Sequence, residues 1–356
     1  MKKIIIIFIL LFSLGGCYDY TEMNDLALIV GIGVDYIDSS YVTTFEILND
    51  SKKKESADIS SYTVSASANN FADSFEAAAN KTSKKAYYSH AKLLVISESI
   101  AKEHLKSISD YLIRSNYLRD NFKIVIGKNP EEILSSTTKN ASVVTGSILK
   151  ILQSNSFAGN GPIKKGFDDT MKDILDFGKD TEVYIVEKSL KGVELTSLGI
   201  FKDYKLVSVF NETDALIYNI LINNTKKAIF TKEYDGKNFS LGLFEPNIKL
   251  DVTNNLIKVS GTVNSKIFDN SPNFNIKEMD VIKKLEQDFE DILNNKIELF
   301  IKNLQLNKSD ILYFGKKYYM KTRIKEETLW ETSNIESNIN LRISKKGIIY
   351  EVDNAN

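Results

Sequence analysis

The sequence predicts an α+β protein with two unlike halves. In the first half, strand-type and helix-type segments alternate, which is typical of a mixed sheet with helices packed on it. In the second half, short strand-type segments follow one another and lead into one long amphipathic segment, which predicts an antiparallel sheet packed by one long helix. A composition of 43% hydrophobic and 26% charged residues is ordinary for a folded chain of 356 residues.

The expected domain boundary lies near residues 188–192, where the alternating pattern ends. The predicted units are a signal segment at residues 1–16, an N-terminal domain at 17–190 and a C-terminal domain of one or two lobes at 191–356. A mature chain of this length can bury a core without disulfides. The prediction as a whole is therefore a multi-lobed protein.

The N-terminal domain is expected to begin with a buried hairpin. Leu26 to Val34 is a continuous apolar run that contains Gly31 and Gly33, which predicts a central strand buried on both faces. Glycines at these two positions leave room for the close approach of a helix or backbone. Tyr41 to Leu48 is rich in β-branched and aromatic residues and follows an Asp-Ser-Ser turn, which favours an antiparallel partner strand.

Further strands and helices then alternate along this domain. Asn69 is the expected N-cap of a helix whose apolar residues Phe71, Phe75 and Ala78 share one face. The other expected elements are a strand at Ile59 to Ser67, a strand at Lys92 to Ser97, a helix with Ile100, Leu105, Ile108, Tyr111 and Leu112 facing inward, a strand at Phe122 to Ile126, a helix that starts near Pro130, and helices at Asn140 to Leu152 and Asp168 to Phe177.

The C-terminal domain is expected to be strand-rich. Its apolar stripe from about Asn275 to Leu304 recurs in steps of three and four, which favours one long helix packed on the preceding sheet. The other expected elements are strands at Leu195 to Ile200, Leu206 to Phe210, Ala228 to Thr231, Phe239 to Phe244, Ile248 to Thr253 and Ile257 to Ile267, a short helix at Thr213 to Ile222, a broken helical segment at Asp310 to Trp330, and a closing hairpin of Ile339 to Ile343 with Ile348 to Val352.

The N-terminus carries the pattern of an exported, lipid-modified chain. Lys2 and Lys3 precede a short apolar run, and Cys17, the only cysteine, follows a leucine and two glycines. A thiol at this position takes a diacylglyceryl group and becomes the new N-terminus after cleavage, and several acyl chains together give stable anchoring. An ordinary export signal with an incidental cysteine is the alternative. No later apolar run reaches the length that spans a bilayer.

Catalytic and ligand-binding motifs are weak or absent. The net charge of −1 becomes −3 without Lys2 and Lys3, so neither nucleic acid nor a polybasic membrane patch is indicated. The two histidines, His90 and His104, are not spaced as metal ligands, and Gly31-Ile32-Gly33 lacks the third glycine of a dinucleotide-binding loop. We therefore expect no cofactor, no metal and no enzymatic activity.

Four segments, in order, resemble one family. They are GCYDYTEMNDLALIVGIGVD at residues 16–35, YSHAKLLVISE at 88–98, ELTSLGIFKDYKLVSVFNE at 194–212 and LRISKKG at 341–347. The family is that of the Ger(x)C lipoproteins, the C subunits of nutrient germinant receptors in endospore-forming bacteria. Tyr18 stands where the family usually has tryptophan.

The resemblance implies a palmitate-bearing lipoprotein at the cell membrane, tethered to the outer face of the inner spore membrane. It also implies assembly with two integral membrane subunits, A and B, in sporulation and spore germination. The family is not known as an enzyme class. The candidate interface or structural residues that its motifs single out are Tyr18, Asp19, Asn24, Gly31, Gly33, Tyr88, Ser89, His90 and Lys92.

His90 is expected to be a buried, hydrogen-bonded residue at the entry of a core strand, with an interface role as the alternative. Two other classes of protein remain open for the chain as a whole. A solute-binding lipoprotein of an uptake system would have two similar lobes around a cleft. An exported cell-wall hydrolase would need a pair of carboxylates in a groove.

Overall fold

The strands of the computed structural model form two sheets. The structure describes residues 22, 25–49, 60–115, 117, 118, 122–136, 143–154, 163–190 and 192–345. The strands are β1 (Leu26–Ile37), β2 (Ser40–Leu48), β3 (Ser61–Ala68), β4 (Lys85–Tyr87), β5 (Leu93–Ile96), β6 (Lys123–Gly127), β7 (Thr181–Ser189), β8 (Gly192–Lys202), β9 (Lys205–Phe210), β10 (Ala228–Tyr234), β11 (Lys237–Val252), β12 (Leu256–Asn270) and β13 (Asn334–Lys345).

The helices cover both sheets. They are α1 (Phe71–Asn80), α2 (Leu105–Ser115), α3 (Pro130–Leu134), α4 (Val144–Ser154), α5 (Phe167–Leu175), α6 (Glu212–Leu221), α7 (Met279–Asn307) and α8 (Phe314–Thr322). A π-helical segment, Ile100–His104, leads into α2, and a 3₁₀ turn, Leu329–Thr332, precedes β13. The predicted fold class, α+β with a mixed sheet first and a long helix on a second sheet, is confirmed.

The first sheet has the strand order β3-β2-β1-β5-β6-β7-β8-β9, with β4 beside the start of β1. Strands β1, β5, β6 and β7 run parallel, and the two hairpins at its ends are antiparallel. The strand predicted at Leu26 to Val34 is thus an interior strand. Both hairpins turn through two residues with positive φ, Asp38-Ser39 and Asp203-Tyr204, as a twisted two-residue turn requires.

Helices pack on both faces of the first sheet. Helices α1, α2 and α5 cover one face, where Phe45 and Phe75 are fully buried. Helices α3, α4 and α6 cover the other, and the apolar core on that side continues without interruption into the second sheet and α7. The helix predicted after Asn69 begins one residue later than expected, because the side chain of Asn70 accepts the N–H of Asp73 at 2.8 Å.

The second sheet has the order β10-β11-β12-β13. Its first three strands are antiparallel, whereas β13 joins β12 in parallel. The strands predicted at Phe239 to Phe244 and Ile248 to Thr253 are one strand, β11, with an irregularity between Phe244 and Asn247. Pro246 lies in that irregularity, and a proline cannot donate a ladder hydrogen bond. Helix α7 buries Leu285, Phe289, Leu293, Ile297 and Phe300 against this sheet.

Two further predictions concern the closing hairpin and the domain boundary. The region Ile339 to Ile343 belongs to β13, whereas its predicted partner, Ile348 to Val352, lies outside the described residues. The first sheet continues across residues 188–192, because β7 and β8 pair there and β9 ends only at Phe210. The division into domains at residue 190 stays a prediction.

Candidate functional site

The amino end of β1 brings together several of the residues that the sequence singles out. Strand β4 pairs in parallel with Leu26–Leu28, and β5 continues along the same edge of β1 from Gly31 onward. Between β4 and β5 the chain leaves the sheet in a short turn of residues 88–91. The turn is closed by a hydrogen bond from the Ala91 N–H to the Tyr88 carbonyl, 2.8 Å long.

Backbone hydrogen bonds fix the chain again directly after this turn. The N–H of Lys92 donates to the carbonyl of Val30 at 2.9 Å, and the N–H of Lys123 donates to the carbonyl of Lys92 at 2.8 Å. Residue 92 therefore has its backbone held between β1 and β6 while its side chain is exposed. Such an arrangement holds a short polar turn on a rigid support.

His90 lies exposed in this turn, so the expectation of a buried histidine is wrong. Its ring lies 5.7 Å from that of Tyr87, and Ser89 beside it is only partly buried. The reason is the excursion of residues 88–91 out of the sheet, which turns the histidine away from the core that Leu93 and Leu94 enter. An interface role is the alternative that this exposure leaves.

Tyr88 holds the base of the turn. Its ring packs 5.7 Å from Phe45, 5.1 Å from Phe75 and 5.2 Å from Tyr117, within the core that α1 and α2 cover. Burial, with the Glu76 carboxylate second, raises the pKa of Tyr88 well above its ordinary value, so the phenol stays neutral. Tyr88 is therefore a structural residue.

We call the surface formed by the exposed side chains of Lys85, His90 and Lys92 and the partly buried Tyr87 the anchor-side surface. Lys85 pairs with Leu26 in the β4–β1 ladder, so the surface begins at the amino end of β1. It combines two lysines, a histidine and a tyrosine edge, and its lysines complement an acidic protein surface. Sequence reasoning missed Lys85 and Tyr87, although both belong to the same short basic and aromatic stretch.

Gly31 and Gly33 make room for the helices α3 and α4, which pack against β1. A Cβ at Gly33 would lie 3.0 Å from both Leu134 and Pro130, and one at Gly31 would lie 2.2 Å from Thr145. This confirms the expected close approach of a helix, here α3 and the start of α4. Both glycines are structural residues.

Glu46 is a buried carboxylate that the sequence does not reveal as special. It accepts hydrogen bonds from the backbone N–H groups of Val144 at 2.7 Å and Thr145 at 2.9 Å, and from the Ser61 hydroxyl at 2.7 Å. These N–H groups open helix α4 and have no partner within the helix. A carboxylate there also complements the helix dipole. Glu46 thus fixes α4 over β1 from almost a hundred residues away.

A partly buried network of charges joins the two halves of the chain. Lys165 lies 2.7 Å from Asp173 and 2.9 Å from Glu182, and Lys179 lies 2.9 Å from Asp173. Burial lowers the pKa of Lys165, but Glu182 and Asp173 outweigh it and the pKa is raised. The Tyr313 hydroxyl donates to Asp173 at 3.2 Å, which connects the network to the C-terminal half.

A pair of buried carboxylates, Asp180 and Asp310, lies beside this network. The backbone N–H of Asp310 donates to the Asp180 carboxylate at 2.6 Å, and the Asp310 carboxylate accepts from the N–H groups of Phe314 and Gly315 at 2.8 and 2.7 Å. Burial raises the pKa of Asp310 to about 7, although these two N–H groups oppose it. Asp310 organises the turn into α8, and its buried position gives it no access to a substrate.

Other predicted residues and sites are not brought together. Cys17, Tyr18, Asp19 and Asn24 lie outside the described residues. Within the described ranges, no group of three His, Cys, Asp or Glu side chains is placed to hold a metal ion. The same ranges contain no helix that is both long and apolar enough to cross a membrane.

Comparison with known proteins places both halves in one family. Residues 19–188 match the family described as the spore germination protein N-terminal domain, and residues 196–347 match the spore germination B3/GerAC-like C-terminal domain. Spore germination protein KC of Bacillus subtilis (strain 168) is 23% identical over 98% of this chain and 95% of its own. GerQC of Bacillus cereus is 22% identical over 61% of this chain and 62% of its own.

A solved structure shares the fold. The crystal structure of the GerBC protein superposes with a TM-score of 0.59 and covers 88% of this chain and 97% of its own, at 14% sequence identity. At this identity the likeness concerns the fold alone. The two halves of the chain have unlike topologies, which is not the pair of similar lobes expected of a solute-binding lipoprotein.

Proposed function

This chain belongs to the Ger(x)C family of spore germination proteins, and from that membership we propose that it is the lipid-anchored C subunit of a nutrient germinant receptor. It acts by assembly with integral membrane A and B subunits and has no turnover of its own. Its place is the outer face of the inner spore membrane, with Cys17 as the lipid attachment site.

The observation that carries this proposal is the match of both halves of the chain to spore germination family models, and the short sequence distance from Cys17 to β1 supports the membrane contact. Eight residues separate Cys17 from Leu26, where β1 begins. A chain of that length reaches at most about 30 Å even when it is fully extended. Lipid on Cys17 therefore keeps the amino end of β1, with Lys85, His90 and Lys92, close to the membrane, where integral subunits can contact it.

The anchor is tested by the Cys17→Ala variant. We expect it to lose the lipid and to leave the spore membrane fraction, because the thiol is the only acceptor in the chain. Mass spectrometry of the mature N-terminus of the wild-type protein measures the same point directly. A wild-type N-terminal peptide without lipid, or one that begins at another residue, contradicts the anchoring.

The function itself is tested in spores. Deletion is expected to abolish or slow the response to one set of nutrients and to leave vegetative growth unchanged, and A-type and B-type subunits are expected to co-purify with the wild-type protein. Replacement of His90 and Lys92 together by glutamate should reduce that co-purification without unfolding the protein, since both side chains are exposed.

Lys283→Glu on the exposed side of α7 is the matched control and should leave co-purification intact. A normal nutrient response after deletion contradicts the receptor function. Hydrolysis of peptidoglycan by the purified chain contradicts the absence of turnover.

A further inference from the structure

A groove lies at the opposite end of the parallel strands from the anchor-side surface. It measures about 1220 Å³ and is formed where β1, β6 and β7 end, with contributions from Asp35, Lys128, Glu187 and Glu194. Ligands of open sheets with parallel strands bind outside the carboxyl ends of those strands, which is where this groove lies. Its position separates it from the surface proposed for the membrane subunits.

The groove is long and open. Its lining residues lie on β1, just after β6, and on β7 and β8, and in the sheet β5 stands between β1 and β6. Neighbouring strands lie about 4.8 Å apart, so its ends are roughly 14 to 19 Å from each other. An extended peptide that rises about 3.3 Å per residue covers this distance with four to six residues. A groove of this shape fits an extended chain better than a compact solute.

Its charges are arranged along that length. Asp35 lies at one end, and Glu187 and Glu194 lie at the other, with Lys128 between them. The remaining pair, Glu132 and Lys188, neutralise each other at 2.9 Å. An occupant with a cationic group at each end and none in the middle complements this pattern.

The placement of Glu187 and Glu194 favours a cation at their end of the groove. They are direct partners in the β7–β8 ladder and both are exposed. Like charges directly opposite each other destabilise a strand pair, and neither glutamate forms an ion pair with a residue that the structure describes. A cation bound beside the two carboxylates would reduce their mutual repulsion. Ile37 and Leu190, both exposed beside the groove, add apolar contact area.

We propose that this groove binds an extended segment of a partner protein that carries two basic side chains about four residues apart. Four residues of extended chain span about 13 Å, which matches the shorter separation of the acidic ends. The central position of the segment is uncharged or acidic, opposite Lys128. Apolar side chains of the segment contact Ile37 and Leu190.

The test uses the full chain purified in detergent and a fluorescently labelled seven-residue peptide with lysines four positions apart. Fluorescence anisotropy should detect binding of this peptide and none of the same peptide with glutamates in place of lysines. Glu187→Gln should weaken binding at least fivefold and, because it removes the like-charge pair, should raise the melting temperature.

Glu233→Gln, an exposed strand glutamate on β10, is the matched control and should leave binding unchanged. Equal binding of the basic and acidic peptides overturns the proposal, as does undiminished binding by the Glu187→Gln variant. Complete displacement of the peptide by an equal concentration of the linear polyamine spermine also overturns it, because a small polycation is then the better occupant.

Discussion

At the scale of single residues, two kinds of position decide how this molecule is built. The first kind is glycine: β1 has glycines at the positions where helices lie directly against it. The second kind is a buried carboxylate that accepts hydrogen bonds from backbone N–H groups without other partners. The first kind is visible in the sequence as glycines inside an apolar run. The second kind, such as Glu46 and Asp310, looks like any other acidic residue until its neighbours are known.

Gly33→Val tests the close packing of α3 on β1. The added side chain would meet Leu134 and Pro130 at 3.0 Å from its Cβ, and overpacking of this kind costs about 1–3 kcal/mol. Urea unfolding should show that loss. Gly146→Ala is the control, since a Cβ there meets nothing within 4 Å and alanine favours the helix. Equal stability of Gly33→Val and the wild type would show that the helix is not packed closely there.

Asp310→Asn tests the raised pKa of this buried acid. Between a pKa of about 4 in the unfolded chain and about 7 in the fold, Asp310 is protonated only when folded. Unfolding then releases a proton, so this residue makes stability fall as pH rises through that window, by at most about 1.4 kcal/mol per pH unit.

Asp310→Asn removes this component, so between pH 4 and 7 the stability of the variant relative to the wild type should increase as the pH rises. Denaturant unfolding at several pH values measures the difference. Asp291→Asn on the exposed side of α7 should keep the wild-type slope. Parallel curves for Asp310→Asn and the wild type would place the pKa of Asp310 near its ordinary value.

At the scale of elements, α7 closes the edge of the second sheet. Its residues Glu286, Glu290 and Asn294 accept the backbone N–H groups of Ile343, Leu341 and Ile339 in β13 at 2.8, 2.7 and 2.9 Å. Four helical residues rise about 6.0 Å and two strand residues about 6.6 Å, so the two repeats stay in step. The helix thereby occupies the place of a further strand and covers an edge that could pair with another chain.

Glu290→Ala tests this edge closure. The variant leaves the N–H of Leu341 without its acceptor, which costs about 1–3 kcal/mol when the group is buried. Thermal unfolding should show the loss, and light scattering should show more self-association than the wild type. Asp291→Ala, the next residue on the same helix but exposed, should change stability by less than about 0.5 kcal/mol. Equal effects of the two variants would mean that the carboxylate of Glu290 does not close the edge.

At the scale of the whole molecule, the two halves share one core. The apolar cluster that contains Leu93 and Val125 of the first sheet also contains Phe239 and Ile339 of the second. The Lys165 network adds polar connections, through Tyr313 to Asp173 and through Lys316 to Asp176. A chain connected in this way is expected to unfold as one unit, although two family descriptions meet near residue 190.

The single tryptophan makes this expectation measurable. Trp330 lies in the C-terminal half and is 2% exposed, so its fluorescence reports on that half, whereas circular dichroism reports on both. We expect the two signals to change together in denaturant. Lys165→Met should shift both by the same amount, since breaking a buried pair costs about 3–5 kcal/mol and breaking this partly buried one costs less. Exposed Lys172→Met is its control. Two separate transitions would show that the halves are independent domains.

The sequence by itself determined most of the elements and the family. Periodicity, turn residues and caps act between neighbours in the chain, so the hairpins at Asp38 and Asp203 and the stripe of α7 could be predicted from them. The export signal that ends at Cys17 and each of the family motifs are likewise short stretches of sequence. The close approach of a helix at Gly31 and Gly33 could also be predicted, because glycines within an apolar strand usually mark such an approach.

Only the tertiary structure decided which distant residues meet. The parallel pairing of β13 with β12, the capping of α4 by Glu46 and the joined network around Lys165 all connect segments far apart in the chain. The exposure of His90 belongs to the same class, because burial depends on what packs above a residue and not on its neighbours in sequence. Such contacts are set by the free energy of the whole core, which no local pattern records.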